Sequence, residues 1–168
     1  MTAPIRWPAE AVWEAVAPLL PGFTVEVLPS IDSTNTELMR RARAGQTEPT
    51  LLVAEQQTAG RGRLGRVWQS DVGASLMLSL GLPMAPRDWS GLSLAVGVSV
   101  AESLQPTLPP LEPGQPPRIG LKWPNDLWLS GDRKLGGILV ETASFVAPQA
   151  AQPATTHGTA ARYVVVGI

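Results

Sequence analysis

The sequence predicts an α+β domain in which helices pack on a β-sheet. Three observations carry that expectation. Short apolar runs bounded by turn-formers, at residues 50–55, 74–82 and 163–166, read as strands. Amphipathic stretches after Pro8 and Thr34, each closed by a glycine or Pro-Gly, read as helices. Residues 88–104 are apolar almost all round, the composition of a helix laid on a sheet.

Taken in order, Pro8 to Leu20 is a helix: Pro8 suits its first turn, Val12, Val16 and Leu19/Leu20 form a stripe, and Pro21-Gly22 stops it. Phe23 to Leu28 alternates as a short strand. Thr34 and Glu37 have capping-box spacing before a helix that places Leu38, Met39 and Ala42 on one face and ends at Gly45. Thr50 to Glu55 and Ala74 to Leu82 are strands, the second alternating Leu76, Leu78 and Leu80 with smaller residues. Asp88 is placed to cap a buried helix reaching about Leu104. Pro106 to Pro117 is an irregular proline-rich connection. Arg118 to Trp123 is a strand closed by Pro124-Asn125-Asp126. Leu127 to Ser130, a Gly131-Asp132 turn and Lys134 to Phe145 form a hairpin, interrupted at Gly136-Gly137 where a bulge or a close ligand is expected. Val146 to Ala161 is a loop carrying the single histidine, His157, which nothing there would hold as a base. Tyr163 to Val166 is a final strand.

Composition narrows the function. One domain is expected of 168 residues, and 44% hydrophobic with 16% charged residues describes a soluble globular chain. A net charge of −1 argues against general affinity for nucleic acid or anionic membranes. Cysteine is absent, which removes disulfides, thiolate metal sites and thiol nucleophiles and fits a reducing cytoplasm. No apolar run reaches the roughly 20 residues of a membrane span. The N-terminus, with Trp7, Pro8 and Glu10, lacks a signal-peptide pattern.

Chemistry is concentrated between Ala54 and Trp68, where Gly60, Gly62 and Gly65 alternate with Arg61, Arg63 and Arg66. Glycine lets backbone amides approach a ligand, and guanidinium forks suit phosphate or carboxylate oxygens. The loop reads either as a flap ordering over an anion or as a solvated basic hairpin. It is not a P-loop, since no Gly-Lys-Ser/Thr follows, and no helix opens after it as a dinucleotide fingerprint requires. Two further segments put polar groups at element ends: Ser33-Thr34-Asn35, a helix N-terminus that can also face a ligand, and Lys122-Trp123-Pro124-Asn125-Asp126. Lys122, ending an apolar strand, reads as a functional cation or as an edge-strand lysine against aggregation.

These segments, with Lys134-Leu135-Gly136-Gly137-Ile138-Leu139-Val140-Glu141, resemble the biotin protein ligase family from about Pro29 to Glu141 and again from Tyr163. The resemblance implies a mixed, largely antiparallel β-sheet with flanking helices, similar to class II aminoacyl-tRNA synthetase cores. It implies that biotin's carboxylate attacks the α-phosphorus of ATP with Mg²⁺, and that a lysine of a biotin carboxyl carrier protein, an acetyl-CoA carboxylase subunit or similar, then takes the biotinyl group. Homodimers occur in the family. Ser33, Thr34 and Gln57 would meet the ureido ring, with Asn35 beside them. Lys122 and Arg63, with Arg61, would offset the charge of two anions and act in catalysis. Arg66 and Trp68 are candidates for the nucleotide side, with Asn125 nearby, while Gly60, Gly62, Gly136 and Gly137 would let backbone pass close to ligand. No metal ligand is expected of the chain itself.

Residues before Ser33 are too few for the winged-helix DNA-binding domain of some members, and the family's small C-terminal β-barrel is also expected to be absent. Three other readings stay open at this level: a lipoate or octanoate ligase of the same superfamily, a non-catalytic biotin- or nucleotide-binding domain, and a nucleic-acid-binding protein using the Arg/Gly loop. The near-neutral charge speaks against the last.

Overall fold

Residues Tyr163 to Val166 are apolar at every position, so a strand built from them must be covered on both faces. The computed structural model describes residues 5–109, 112–144 and 161–168. In chain order the elements are α1 (Ala9–Val16), β1 (Thr24–Leu28), α2 (Thr34–Arg43), β2 (Thr50–Ala54), β3 (Gly60–Arg61), β4 (Val67–Trp68), β5 (Met77–Met84), α3 (Leu92–Leu104), β6 (Ile119–Lys122), β7 (Asp126–Leu129), β8 (Arg133–Gly137), β9 (Leu139–Ser144) and β10 (Arg162–Gly167). The main sheet has the order β1-β2-β5-β10-β9, with β1 and β2 parallel and every other pair antiparallel. β6, β7 and β8 form a second, antiparallel sheet, and β3 pairs with β4 as a two-stranded ribbon. This is the mixed, largely antiparallel architecture expected.

The period-2 alternation of β10 divides the core. Tyr163 and Val165 pack with Leu38, Met39 and Ala42 of α2 and with Leu52. Val164 and Val166 pack with Ile119, Leu127 and Ile138, joined by Leu92, Val96 and Val100 of α3. Removing each such side chain from water stabilises the fold by about 1.5–3 kcal/mol.

Several expectations are corrected. α1 ends at Val16 rather than Leu20: Ala17 is still helical, but Pro18 has no amide hydrogen to return to the preceding turn, and Leu19 is 83% exposed. The cap of α2 is Ser33, not Thr34: its hydroxyl accepts from the Thr36 amide at 3.4 Å, and Glu37 pairs instead with Arg40 and Arg41. On β5 the inward positions are Met77 and Ser79, while Leu78 and Leu80 are only half-buried and Leu76 lies outside the strand. Asp88 does not cap α3. Its carboxylate accepts from the Ser90 amide and hydroxyl at 2.8 and 2.6 Å, which holds its pKa below the usual value, and Gly91 occupies the N-cap. Nor is α3 buried all round: it is covered along one side, leaving Val98 43% and Leu104 40% exposed.

The predicted hairpin strand 134–145 is two strands in two sheets. β8 pairs with β7, β9 pairs with β10, and Ile138 lies between them. Asn125 fixes that junction twice: its carbonyl accepts from the Ile138 amide at 2.8 Å and its Nδ2 donates to the Ile138 carbonyl at 2.8 Å. The register shift falls between Leu127 and Trp128 on the facing strand. Loop 146–161 and His157 lie outside the described residues apart from Ala161.

Candidate active site

The amino end of α2, the β3–β4 ribbon, the Trp123-Pro124 turn and the ends of β5 and β10 enclose a cavity of about 550 Å³. That is ample for a small ligand, whose sites span roughly 300–1,000 Å³.

The cavity floor is polar and assembled from four elements. Ser33, Thr34 and Asn35 are each 3% exposed and Gln57 follows β2; Ser79, 0% exposed, lies behind them, outside the lining. Gln57 Oε1 accepts from the Thr34 amide at 2.7 Å and lies 3.0 Å from Thr34 Oγ1. Ser79 Oγ is 2.7 Å from Thr34 Oγ1 and 2.6 Å from Asn35 Oδ1. Asn35 Nδ2 donates to the Leu139 carbonyl at 3.2 Å and to Glu141 Oε2 at 3.0 Å. This crossing of Asn35 over the sheet requires glycine at 167, because a Cβ there would overlap Asn35 Oδ1. Capping residues of α2 thus also serve the floor, joining the two sequence readings of Ser33-Thr34-Asn35.

The Arg/Gly loop forms the opposite wall. Gly60 faces Trp68 and Arg61 faces Val67 in the ribbon, with a single turn of 3₁₀ helix at Arg63–Gly65. Gly60 is fixed by proximity: a Cβ would stand 2.6 Å from the Trp68 carbonyl oxygen. Arg61 Nη2 donates to Glu141 Oε1 and Oε2 at 3.2 and 3.0 Å, and its Nε donates to Thr36 Oγ1 at 3.1 Å. Arg63 Nη1 donates to Asn125 Oδ1 at 3.1 Å. The loop is therefore an ordered ribbon tied to α2, β9 and the Asn125 turn. Guanidinium groups here hold protein oxygens as well as facing the cavity.

Of the residues singled out from sequence, Ser33, Thr34, Asn35, Gln57, Arg61, Gly62, Arg63, Arg66, Trp68, Asn125 and Gly137 line this one cavity. Gly60 and Gly136 do not; Gly60 supports the ribbon and Gly136 packs against Leu127. Lys122 departs most from expectation. It is exposed, its ammonium stands 3.9 Å from the Trp128 ring centroid, and it borders a separate shallow groove. Within β6, Lys122 shares a face with Gly120 and both border that groove, whereas Trp123, in the turn that follows, lines the cavity.

Sequence reasoning quoted Lys134 and Asp126 only as members of motifs, without a role, and missed Ser79. Lys134 lines the cavity, donates to Asp126 Oδ1 at 2.8 Å and stands 5.4 Å from the Trp68 ring centroid. Opposite charges on the two strands of a hairpin were the available signal. For Ser79 the signal was one small polar residue in an apolar alternating strand. Arg61, Arg63, Arg66 and Lys134 together face a cavity in which Asp126 is the carboxylate of the lining, so the wall is cationic although the chain carries −1. Among the described residues no group of three His, Cys, Asp or Glu could hold a metal ion.

The chain is similar to proteins already known. A sequence model of the biotin/lipoate A/B protein ligase family matches residues 27–151. The biotin–[acetyl-CoA-carboxylase] ligase of Mycobacterium tuberculosis is 42% identical over 125 residues, covering 71% of this chain and 44% of the relative. The bifunctional ligase/repressor BirA of Escherichia coli is 45% identical over 124 residues, 73% of this chain and 36% of that protein. The solved biotin protein ligase from Aquifex aeolicus, in complex with biotin and ATP, is 30% identical with a TM-score of 0.56, over 86% of this chain and 51% of that one. The chain spans less than half the length of either curated relative.

Proposed function

Since the chain belongs to the biotin/lipoate A/B protein ligase family, we propose that it activates biotin with ATP and transfers it to a lysine of a biotin carboxyl carrier protein. One observation carries the reading: a single cavity joins a floor of short, fixed polar groups to a cationic wall.

The floor suits the ureido ring, which presents two N–H donors and one carbonyl acceptor. A lipoyl chain would leave those polar groups unpaired, at about 1–3 kcal/mol each. The wall suits the meeting of a carboxylate with a triphosphate. In the first step a biotin carboxylate oxygen bonds to the α-phosphorus and pyrophosphate leaves, giving biotinyl-5′-AMP. The carboxylate is already ionised, so no base is required. Arg61, Arg63, Arg66 and Lys134 offset the repulsion of the two anions and the charge gathering on the phosphoryl oxygens. In the second step a neutral lysine amine attacks the acyl carbon, AMP departs, and the nitrogen loses a proton to solvent.

Trp68 and the exposed Trp123 offer aromatic faces at the cavity to adenine. Asp126 is engaged by Lys134, so magnesium is assigned to the nucleotide's own phosphates and no ligand from this chain is given to it. The reading places the reaction in the cytoplasm, in keeping with a cysteine-free chain; no helix among the described residues is long and apolar enough to cross a membrane. Pairing of two copies through sheet edges belongs to the same proposal and is read by sedimentation.

The test is pyrophosphate release from MgATP on addition of biotin or lipoate, followed by transfer to a carrier domain. Biotin-dependent release and transfer are expected. Release with lipoate alone points to the sister activity, and binding without release to a passive domain.

A further inference from the structure

Around Thr34 the hydroxyl protons are too few for the oxygens. Three oxygen–oxygen contacts run in series: Gln57 Oε1 to Thr34 Oγ1 at 3.0 Å, Thr34 Oγ1 to Ser79 Oγ at 2.7 Å, and Ser79 Oγ to Asn35 Oδ1 at 2.6 Å. The two ends are amide oxygens and only accept. Asn35 is held in that orientation because its Nδ2 already donates to Leu139 and Glu141, and Gln57 because its Oε1 takes the Thr34 amide at 2.7 Å. Two hydroxyl protons therefore serve three contacts. The shorter two require them, since unprotonated oxygens at 2.6 and 2.7 Å repel. Ser79 donates to Asn35, Thr34 donates to Ser79, and the 3.0 Å contact is left without a proton.

We propose that Ser79 is a positioning residue that fixes the polarity of the floor. By drawing the Thr34 proton away from the cavity, it leaves Thr34 Oγ1 and Gln57 Oε1 as two adjacent acceptors matched to an N–H donor of the ligand. The inference rests on the reading of this floor as the biotin-ring site, and it extends that reading to a residue that is 0% exposed and outside the cavity lining. Without Ser79, the Thr34 hydroxyl turns to Gln57 Oε1, and the pair then has one lone-pair set fewer to offer. Selection for a donor-bearing ring is thus exerted through a residue the ligand never touches.

The test is calorimetric titration of biotin into the chain and its variants, with melting temperature recorded for each. Ser79→Ala is expected to weaken biotin roughly tenfold or more, the cost of one mismatched buried hydrogen bond. In a Thr34→Val background the same substitution is expected to change affinity by less than about twofold, because the proton it steers is gone. Ser79→Cys, whose S–H is a weaker donor, recovers part of the loss and serves as the reading if Ser79→Ala does not fold. Equal losses in both backgrounds, or affinity unchanged in Ser79→Ala and Ser79→Cys, overturn the role of Ser79 while leaving the biotin reading intact. Absence of biotin binding by the unmodified chain sinks both.

Discussion

At the scale of single residues, the site depends on contacts with no spare room. Asn35 lies against the backbone at Gly167, where any Cβ would overlap its Oδ1. Gly167→Ala forces Asn35 off Ser79, Leu139 and Glu141 at once. The expected loss is about 1–3 kcal/mol, the usual cost of overpacking, read as a lower urea midpoint with an unchanged slope. Two lysines offer a second residue-scale contrast. Lys134 lines the cavity beside Asp126 and Trp68, whereas Lys122 sits over Trp128 outside it. Lys134→Ala is expected to slow biotin-dependent pyrophosphate release by about a hundredfold, the scale of losing one charge-stabilising donor, and Lys122→Ala to slow it much less. A larger loss from Lys122→Ala would mean that its ammonium leaves Trp128 when nucleotide arrives.

Elements impose the next constraint. The β3–β4 ribbon is fastened at its tip by Arg63 to Asn125 and at its base by Arg61 to Glu141. An acyl-adenylate is lost to water unless the wall above it stays shut. Arg63→Gly is accordingly expected to raise escape of biotinyl-adenylate, seen as labelling of bystander lysines, with biotin binding at the floor retained. Labelling confined to the carrier would refute that role. How much of this was legible follows from what each signal encodes. Strand and helix existence followed from apolar period, so the sheet, α2 and β10 came out close to their observed bounds. The ends of α1 and α3 did not, because a local proline at 18 and the Asp88–Ser90 turn outweighed the apolar pattern. Ser33-Thr34-Asn35 was singled out because cap residues advertise a helix start, and Gln57 through the family resemblance. The orientation of Lys122, and the arrival of Lys134 and Ser79, depend on which face of a strand meets which layer. A period identifies two faces without saying which one is the site.

For the molecule as a whole, charge and burial set the response to conditions. The chain is nearly neutral, with an isoelectric point near 5.8, yet Arg61, Arg63, Arg66 and Lys134 share one mouth. Fields from such a mouth are screened beyond about 10 Å at 0.1 M salt. Tyr163, the chain's one tyrosine, is 1% exposed in the core beside α2. Burial first, then Glu48, pushes its phenol up to about 12 from the ordinary 10.0, with Arg41 opposing. A raised folded pKa favours the neutral form. Its contribution is therefore intact below pH 10 and is lost as pH climbs from about 10 toward 12. Phenolate absorbance of the native chain should rise near pH 12, and Tyr163→Phe should flatten the alkaline decline in stability. A phenolate midpoint near 10 with the fold intact would contradict the burial.

Ile138 is the one position separating β8 from β9, gripped on both sides of its peptide by Asn125. Trp123 and the polar floor thus adjoin two different sheets whose strands β8 and β9 are one residue apart. Val164 and Val166 also pack on Ile119 and Leu127 across that joint, so the width of the opening is set by one shared core. Asn125 adds the third tie, since the same side chain that grips the joint also catches the ribbon's tip.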